Sequence, residues 1–314
     1  MNVVMGGAHG LIGRALAGRL RNDGHRVIRL VRPAGHAAPP DPDAVSWDPA
    51  NGRIDRDALE RSGPVDAAVN LAGAGIGDRR WTPARRRLIA ASRRDSTRLL
   101  ADVLVDLSPR PAVLVSGSAV GIYGDRGDEV LTEESGPGSG FLPDVCRDWE
   151  AAAVPAADAG IRVVWLRTGL VLAPAGGILT RLLPPFRLGL GARLGTGRQY
   201  VSWITLDDEV EAVVRMLDDD RLSGPVNATA PGPVTNAELT RALGRALHRP
   251  AGLAVPRAAL TAVLGRDMAD ELLLASQRVR PAKLEAVGHL FAHPDIGSAL
   301  AAVLAAGRRG PAGD

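Results

Sequence analysis

The chain has 314 residues, a formal net charge of +3, 46% hydrophobic residues and a single cysteine. That length and hydrophobic content suffice for a large core in one or two domains. No apolar run approaches the roughly 20 residues of a membrane helix, and no basic segment with a following apolar run indicates a signal peptide. Cys146 has no second cysteine to pair with, so a reducing compartment is indicated. We expect a cytoplasmic protein without a membrane partner.

Strand-like apolar runs alternate with helical patterns through the first half of the chain. The predicted strands are 2–5, 26–31, 65–73, 112–119 and 161–169, and the predicted helices are 11–23, 83–106 and 144–159. Thr82 followed by Pro83 marks a helix start, because threonine caps the first turn and proline suits the first helical position. The alternation predicts an α/β fold of the Rossmann type, with a doubly wound parallel sheet covered on both faces.

The amino-acid composition of the chain changes after about residue 170. Stretches such as "LPPFRLGLGARLGTGRQ" are rich in glycine and proline, which is typical of loops that close over a ligand. A strand followed by a helix returns at 203–220, and helical patterns follow at 235–247 and 256–276. We predict a nucleotide-binding domain and a smaller, mixed C-terminal substrate lobe. The first comprises 1–170, with 203–230 returning to it, and the second comprises 171–202 and 231–314.

The stretch "MGGAHGLIG" (5–13) lies between the first predicted strand and the first predicted helix. In such a turn the first glycine, Gly7, permits the tight bend, and Gly10 lets the backbone approach a pyrophosphate. The third, Gly13, lets the helix pack closely on the sheet. The helix N-terminus then offers free N–H groups and a partial positive charge to the phosphates. The pattern predicts dinucleotide binding, and the alternative is a glycine-rich turn that holds no ligand.

Arg32 follows the second predicted strand and bears on the choice of dinucleotide. NAD-specific sites carry an acidic residue about 20 positions after the glycines, where it binds the ribose hydroxyls. Arg32 lies 19 residues past Gly13, and no Asp or Glu occurs between residues 24 and 40. An arginine there can bind a 2′-phosphate with paired N–H donors. We therefore predict NADP(H), with a solvated surface role for Arg32 as the alternative.

Longer motifs resemble a known group of proteins. The glycine turn, "NLAG" (70–73), "SGSAVGIYG" (116–124) and "LRTGLVL" (166–172) resemble an extended short-chain dehydrogenase/reductase. The resemblance is closer to an atypical branch, the epimerase family proteins or nucleoside-diphosphate-sugar epimerases, which carry a short C-terminal module. It rests on "RRWT" (79–82), "SRRDSTRLL" (92–100), "FLPDVCRDWEAAA" (141–153), "PPFRLGLGARLGTGRQYVSWITLDD" (184–208), "GPVNATAPGPVTN" (224–236) and "ADELLLASQRVRPAKL" (269–284).

This resemblance implies an NADP-binding core and assigns cofactor contacts by position. Gly7, Gly10, Leu11, Ile12 and Gly13 would line the pyrophosphate, and Arg32 would meet the 2′-phosphate. The remaining implied contacts lie after later strands. They are Leu71, Ala72 and Gly73 along the adenosine ribose and nicotinamide side, Ser116, Gly117 and Ser118 near the nicotinamide, and Arg167, Gly169 and Leu170 over its carboxamide.

The chain departs from the parent superfamily at the catalytic pair. That superfamily uses a Tyr and a Lys four residues apart on a helix, where the Lys lowers the tyrosine pKa. The only lysine here is Lys283, and the only tyrosines are Tyr123 and Tyr200. Ser118 and Tyr123 are therefore the predicted catalytic residues. Two further candidates on "FLPDVCRDWEAAA" stay open. Cys146 is either a core residue or a reactive thiol, and Glu150 is either a surface or capping charge or a general base.

Aromatic and amide side chains define the predicted substrate contacts, which are Trp81, Tyr123, Phe141, Gln199 and Trp203. Relatives of the resembled branch usually have histidine where this chain has Thr205, which hydrogen-bonds but does not act as a base near neutral pH. The segment 78–98 contains eight arginines and two aspartates. It is interpreted either as a solvated helix face or as a site for an anionic group near Arg79 or Arg80.

Three functions remain open on the sequence. The first is an NADP(H)-dependent oxidoreductase that acts on a small organic substrate at a carbon bearing oxygen. The second is an epimerase that oxidises transiently and reduces from the other face, and the third is a regulatory protein that binds NADPH without turnover. We expect a small-molecule substrate, no nucleic-acid partner and no metal, since His289 and His293 are not joined by a carboxylate or cysteine that completes a ligand set.

Overall fold

The computed structural model describes residues 1–33 and 41–309. The chain divides into two compact units, each built from several segments. The first unit comprises Met1–Ser118, Val145–Leu166 and Val210–Val226, and the second comprises Ala119–Asp144, Arg167–Glu209 and Asn227–Asp314. Residues 119–144 thus belong to the second unit, whereas the sequence interpretation placed them in the nucleotide-binding domain.

The strands are numbered in chain order. They are β1 (Asn2–Gly6), β2 (Arg26–Val31), β3 (Ala44–Asp48), β4 (Arg53–Ile54), β5 (Ala67–Asn70), β6 (Val113–Ala119), β7 (Val130–Leu131), β8 (Arg162–Thr168), β9 (Leu170–Leu172), β10 (Ala192–Leu194), β11 (Tyr200–Val201), β12 (Trp203–Thr205), β13 (Gly224–Ala228), β14 (Val234–Thr235), β15 (Leu253–Val255) and β16 (Arg278–Val279).

The helices are numbered in the same way. They are α1 (Leu11–Asn22), α2 (Arg56–Arg61), α3 (Pro83–Asp106), α4 (Phe141–Ala151), α5 (Val154–Asp158), α6 (Leu179–Arg187), α7 (Leu206–Asp218), α8 (Asn236–Leu247), α9 (Arg257–Leu264), α10 (Arg266–Met268), α11 (Ala282–Ala286) and α12 (Ile296–Arg309). Short 3-10 turns occur at Pro49–Asn51 and Val120–Tyr123, and a π-helical turn follows α10 at Ala269–Leu274.

The large sheet has eight strands in the order β13-β8-β6-β5-β1-β2-β3-β4. The pairs β6–β5, β5–β1, β1–β2 and β2–β3 are parallel, and the short β4 runs antiparallel to β3. The chain starts at β1, winds outward through β2 and β3, and then returns to β5 on the other side of β1. The order therefore reverses between β1 and β5, and ligands of doubly wound sheets bind at such a switch point, outside the carboxyl ends of the strands. The predicted parallel Rossmann-type sheet is confirmed.

The sheet strands are apolar because helices cover both faces. Val4, Ile28, Ala68 and Leu114 lie in one core cluster with Leu100 of α3, and all are fully buried. The structure also confirms the predicted start of α3, where the Thr82 hydroxyl accepts a hydrogen bond of 3.2 Å from the backbone N–H of Arg85. The predicted helix 144–159 is instead two helices, α4 and α5, because Val154 and Pro155 begin a new turn.

The second unit has its own core and four two-stranded sheets, β10–β15, β11–β14, β12–β9 and β16–β7. Its core joins side chains of α6, α8 and α12, including Phe186, Leu243 and Leu300. The glycine- and proline-rich stretch is more regular than its composition predicted, since it contains α6, with Pro184 and Pro185 inside the helix. The predicted helix 256–276 is interrupted at Gly265 and continues as α10 and the π-helical turn.

Candidate functional site

The glycine turn follows β1 at the point where the sheet order reverses. Gly7 has a φ of +77°, which favours glycine, and a Cβ there would lie 2.6 Å from the carbonyl carbon of Leu71. At Gly13 a Cβ would lie 2.2 Å from the Gly7 carbonyl oxygen, so α1 packs directly against the turn. Gly10 differs, because among the described residues its Cβ would meet a single atom within 4 Å, the Gly7 carbonyl oxygen at 3.2 Å. The side of the turn at Gly10 is therefore open for a ligand.

The N-terminus of α1 provides hydrogen-bond donors beside this opening. Gly10 is the N-cap and supplies no capping side chain, and no acidic residue lies in the first turn. The first-turn N–H groups, which include those of Leu11 and Ile12, therefore have no capping side chain and no carboxylate within their own turn. A 12-residue helix with this end presents both N–H donors and the positive end of its dipole to an anion.

The segment after β5 borders the glycine turn. The Leu71 N–H donates to the Gly6 carbonyl at 2.9 Å, and the Ala72 N–H donates to Oδ1 of Asn70 at 3.2 Å. Asn70 is fully buried, and its Nδ2 donates to the Thr97 hydroxyl at 2.9 Å. Asn70 therefore holds the backbone at Ala72, within the predicted cofactor contacts 71–73. Sequence reasoning did not select Asn70, although a polar residue at the end of a buried apolar strand was a usable signal.

The end of β6 carries Ser116, Gly117 and Ser118. A Cβ on Gly117 would lie 2.6 Å from Cζ2 of Trp149 and 3.1 Å from the Asn70 carbonyl oxygen, so α4 approaches this strand closely. The Trp149 indole N–H donates to the Thr97 hydroxyl at 3.0 Å. These contacts bring α4 to the carboxyl ends of β5 and β6.

Ser118 and Glu150 form a hydrogen-bonded pair at this place. The Ser118 hydroxyl donates to Oε1 of Glu150 at 2.7 Å. Ser118 is 3% exposed, and Glu150 is half-buried. The chain lacks a Tyr–Lys pair, and this hydrogen bond links two of its candidate catalytic residues. Ser118 is the predicted catalytic serine, and Glu150 is the carboxylate that the sequence left as either a surface or capping charge or a general base. Cys146, one turn earlier on α4, is 3% exposed in the apolar interior.

Four of the eight arginines of 78–98, namely Arg85, Arg93, Arg94 and Arg98, bind backbone carbonyls or nearby acids. Arg93 donates to the Ala74 carbonyl at 2.9 Å and lies over the Trp149 ring at 5.0 Å. Burial lowers the pKa of Arg93 from its usual value. Arg85 donates to the Gly75 carbonyl, and Trp81 donates its indole N–H to the Ile76 carbonyl at 2.8 Å. This segment therefore shapes the loop after β5, while Arg79 and Arg80 are exposed.

Tyr123 does not have the surroundings of a proton donor. It belongs to the second unit and is 0% exposed, its hydroxyl donates to Oδ1 of Asn227 at 2.7 Å, and it accepts from Arg167 at 3.0 Å. Burial raises the pKa of the Tyr123 phenol above its usual value, against the opposing effect of Arg167. The structure therefore does not support Tyr123 as a catalytic acid or substrate contact. Arg167, which the family resemblance places over the carboxamide of the nicotinamide, is buried and donates to the Tyr123 hydroxyl.

Two predicted substrate contacts in the second unit also have structural roles. Trp203 is 0% exposed in the core, and its indole N–H donates to the Gly232 carbonyl at 3.0 Å. Gln199 is 7% exposed, and its amide donates to the carbonyls of Leu194 and Leu273. Both side chains are therefore buried and hydrogen-bonded within the second unit, and periodicity and composition do not distinguish an aromatic in a pocket from one in a core. Phe141 is half-buried at the start of α4.

The end of β8 and its continuation carry Thr168, Gly169 and Leu170. A Cβ on Gly169 would lie 2.8 Å from the Ser202 carbonyl oxygen, so this position is tightly packed. The Thr168 hydroxyl donates to Oε1 of Glu209 at 2.8 Å. Glu209 is 0% exposed, and its Oε2 has no hydrogen-bond partner among the described residues. Burial raises the pKa of Glu209 to about 8, although the Thr168 hydrogen bond opposes the shift.

Arg32 is exposed directly after β2, and the structure adds a carboxylate that sequence reasoning missed. The range without Asp or Glu after β2 ends at residue 40, and Asp41 is the next residue in the chain. Its Oδ2 pairs with Nη2 of Arg29 on β2. Arg29 also places Nη1 at 3.4 Å from Nε2 of His9 in the glycine turn. Asp41 lies 28 residues after Gly13, farther along the chain than the usual spacing of such an acid, so the sequence pattern did not indicate it.

Metal and membrane features are not found in the described part of the chain. No three His, Cys, Asp or Glu side chains in residues 1–33 and 41–309 converge as metal ligands. None of the described helices combines the length and the apolar character that crossing a membrane requires.

The sheet order and the glycine turn define a doubly wound protein with a Rossmann-type dinucleotide-binding architecture. A family model described as the NAD dependent epimerase/dehydratase family matches residues 3–228, and a domain of unknown function, DUF1731, matches residues 255–303. The chain belongs to the NAD dependent epimerase/dehydratase family. The resemblance to atypical extended short-chain dehydrogenase/reductases with a C-terminal module is thereby confirmed.

Three similar proteins illustrate this membership. An epimerase family protein of Mycobacterium bovis is 47% identical over 298 residues, covering 95% of this chain and 96% of that protein. The crystal structure of the human epimerase family protein SDR39U1 (isoform 2) with NADPH is 34% identical, with a TM-score of 0.87 over 97% of this chain and 99% of that one. A nucleoside-diphosphate sugar epimerase from Corynebacterium glutamicum is 39% identical, with a TM-score of 0.79 over 97% of this chain and 58% of that one.

Proposed function

We propose that the first unit binds NADP(H) and that the protein transfers a hydride at a carbon bearing oxygen of a small organic substrate. The observation that carries the binding proposal is the open side of the turn at Gly10, in front of the uncapped N-terminus of α1. A pyrophosphate fits this arrangement because it is anionic and accepts hydrogen bonds from backbone N–H groups. Gly7 and Gly13, with Leu11 and Ile12, would hold it.

The choice of NADP(H) over NAD(H) rests on Arg32 and on one similar protein. Arg32 is exposed at the end of β2, where a ribose phosphate is recognised in this architecture. The human protein that is 34% identical was crystallised with NADPH. The segment 71–73, which Asn70 holds at Ala72, would border the adenosine ribose and the nicotinamide side, and Ser116 and Gly117 would lie near the nicotinamide.

The proposed chemistry uses Ser118 and Glu150 instead of a Tyr–Lys pair. When bound, the nicotinamide supplies the hydride donor or acceptor. Because the Ser118 hydroxyl donates its proton to Glu150, the serine oxygen keeps lone pairs that can accept a substrate hydroxyl. As an alcohol carbon loses its hydride, the hydroxyl proton passes to Ser118 and the serine proton passes to Glu150. Carbonyl reduction runs these proton transfers in reverse.

Turnover measurements test this proposal and separate it from the two alternatives. Purified protein is titrated with NADPH and NADH, and nicotinamide absorbance is then followed with a panel of ketones, aldehydes, alcohols and nucleotide sugars. We expect tighter binding of NADPH and net nicotinamide oxidation or reduction with at least one compound. Product isomerisation without net cofactor change would identify an epimerase. Tight NADPH binding without change in any compound would favour a regulatory binder, and no dinucleotide binding would overturn the proposal.

A further inference from the structure

Arg29, Asp41 and His9 form a polar cluster between the glycine turn and β2, and the function proposed above does not use it. We propose that Arg29 is a determinant of NADP(H) specificity, and that Asp41 competes with the phosphate of the adenosine ribose for its guanidinium. The inference rests on the proposed dinucleotide binding and adds a residue to the recognition of that phosphate.

The first step is the position of Arg29. Arg29 lies beside Met5 in the parallel pairing of β2 with β1. Met5 is one residue before Gly6, the last residue of β1, after which the glycine turn begins. Nη1 of Arg29 lies 3.4 Å from Nε2 of His9, within the turn. Arginine only donates hydrogen bonds, so Nε2 of His9 is on the acceptor side of this contact. His9 thus holds one edge of the guanidinium beside the turn, on the β2 side, where the adenosine ribose binds in this architecture.

The second step is the state of the guanidinium. The Arg29 side chain is 24% exposed, and its Nε is buried without a hydrogen-bond partner among the described residues. Its Nη2 is paired with Asp41. The Arg29 cation is therefore held in place by its two terminal nitrogens, while its Nε–H has no acceptor in residues 1–33 and 41–309. An arginine with a fixed, partly buried guanidinium loses little conformational freedom when it binds a phosphate.

The third step is the strength of the competing pair. The Asp41 side chain is 42% exposed, and ion pairs of such exposure contribute little to stability. The other carboxylate oxygen accepts a hydrogen bond from the Asp43 N–H at 2.9 Å, which keeps Asp41 at this place. A phosphate monoester carries a charge of about −1.5 to −2 and offers three oxygens. It therefore attracts Arg29 more strongly than a single carboxylate does, and Asp41 repels it.

A second outcome follows from the same geometry. An acid near the end of β2 binds the ribose hydroxyls in NAD-specific proteins. Asp41 is a candidate for this role because its ion pair with Arg29 places it beside β2. If Asp41 binds the ribose hydroxyls, Arg29 serves to neutralise Asp41, and NADH is the better ligand. The two interpretations predict opposite effects of removing the Asp41 charge, so one variant distinguishes them.

The test is the ratio of NADPH to NADH dissociation constants, measured by nicotinamide fluorescence. We expect Arg29→Gln to weaken NADPH by about ten- to a hundredfold, the effect of losing one charge-assisted contact, while NADH changes less than about twofold. Asp41→Asn should tighten NADPH severalfold and leave NADH unchanged. Arg26→Gln is the matched control, since Arg26 lies on the same strand but pairs with Asp43 and the Ser62 carbonyl. Its ratio should not change.

Thermal unfolding of each variant checks that the fold is retained, and Asp41→Asn gives an independent answer because Asp41 lies at the surface. Equal weakening of both dinucleotides by Arg29→Gln would overturn the inference and leave the proposed function standing. Weaker NADH binding by Asp41→Asn, with NADPH unchanged, would also overturn it. No NADPH binding by the unmodified protein would overturn both proposals.

Discussion

The Ser118 hydroxyl lies 2.7 Å from Oε1 of Glu150, although 32 positions separate the two residues in the chain. One stands at the end of β6 and the other on α4. The strand and the helix approach closely because Gly117 leaves room for the Trp149 ring. In a chain without a Tyr-x-x-x-Lys pair, this hydrogen bond connects a buried hydroxyl with a carboxylate that can take up a proton.

The first prediction concerns this pair. Ser118→Ala and Glu150→Gln should each lower kcat by about 10²- to 10⁴-fold if both act in proton transfer, with NADPH affinity changed less than about twofold. The double variant should lose little more than either single variant, because the two residues act as a unit. Steady-state kinetics with a substrate from the turnover panel provides the measurement. Cys146→Ala is the control on the same helix, and a larger loss there than at Ser118 would make the thiol the centre of the reaction.

The second prediction separates the roles of two glycines in one turn. Gly10→Ala adds a methyl group on the open side of the turn, so NADPH affinity should fall by about tenfold or more while the melting temperature changes little. Gly13→Ala places a Cβ 2.2 Å from the Gly7 carbonyl oxygen, so the backbone must shift, at a cost of about 1–3 kcal/mol in the free energy of unfolding. Paired titration and denaturation curves test this contrast. The reverse pattern would mean that Gly10 is the packing glycine.

The third prediction concerns Tyr123. Replacing it with phenylalanine removes a buried hydroxyl that is bonded to Asn227 and Arg167. The partners lose a hydrogen bond inside the second unit, so the free energy of unfolding should fall by about 1–3 kcal/mol. We expect kcat to stay within about threefold. Tyr200→Phe is the matched control, and a loss of kcat in a stable Tyr123→Phe protein would restore the phenol as a proton donor.

The fourth prediction is a pH dependence of stability that originates at Glu209. Its pKa is about 8 in the folded protein, against a usual value of 4.5, so the folded state binds an extra proton between these values. The free energy of unfolding should therefore fall as pH rises from about 5 to about 8, with a slope of up to about 1.4 kcal/mol per pH unit.

Urea unfolding at several pH values measures this slope. Glu209→Gln should remove it, because the amide does not ionise, and should leave the variant more stable than the unmodified protein above about pH 8. Glu211→Gln is the control on the same helix, since Glu211 is exposed and paired with Arg19. An unchanged slope in Glu209→Gln would assign the dependence to another group.

The sequence by itself determined the elements whose signals are local. The strand 26–31 and the helix 83–106 were predicted with the bounds that the structure has, because a period of two or 3.6 residues and a Thr-Pro start are set by neighbouring residues. The glycine turn was equally readable, since Gly7 and Gly13 are required by contacts within a few residues and with the adjoining strand.

Only the tertiary structure decided which distant side chains meet. The order of the parallel strands brings Ser118 to Glu150, and it brings Arg29 to Asp41 and His9. The periodicity of the sequence does not predict such contacts between distant residues. The burial of Trp203 was not readable from the sequence for the same reason. A tryptophan beside a glycine-rich loop has the same sequence signal in a pocket as in a core, and the packing of α6, α8 and α12 around it placed it in the core. Burial is a property of all the surrounding elements together, so it is fixed only when they pack.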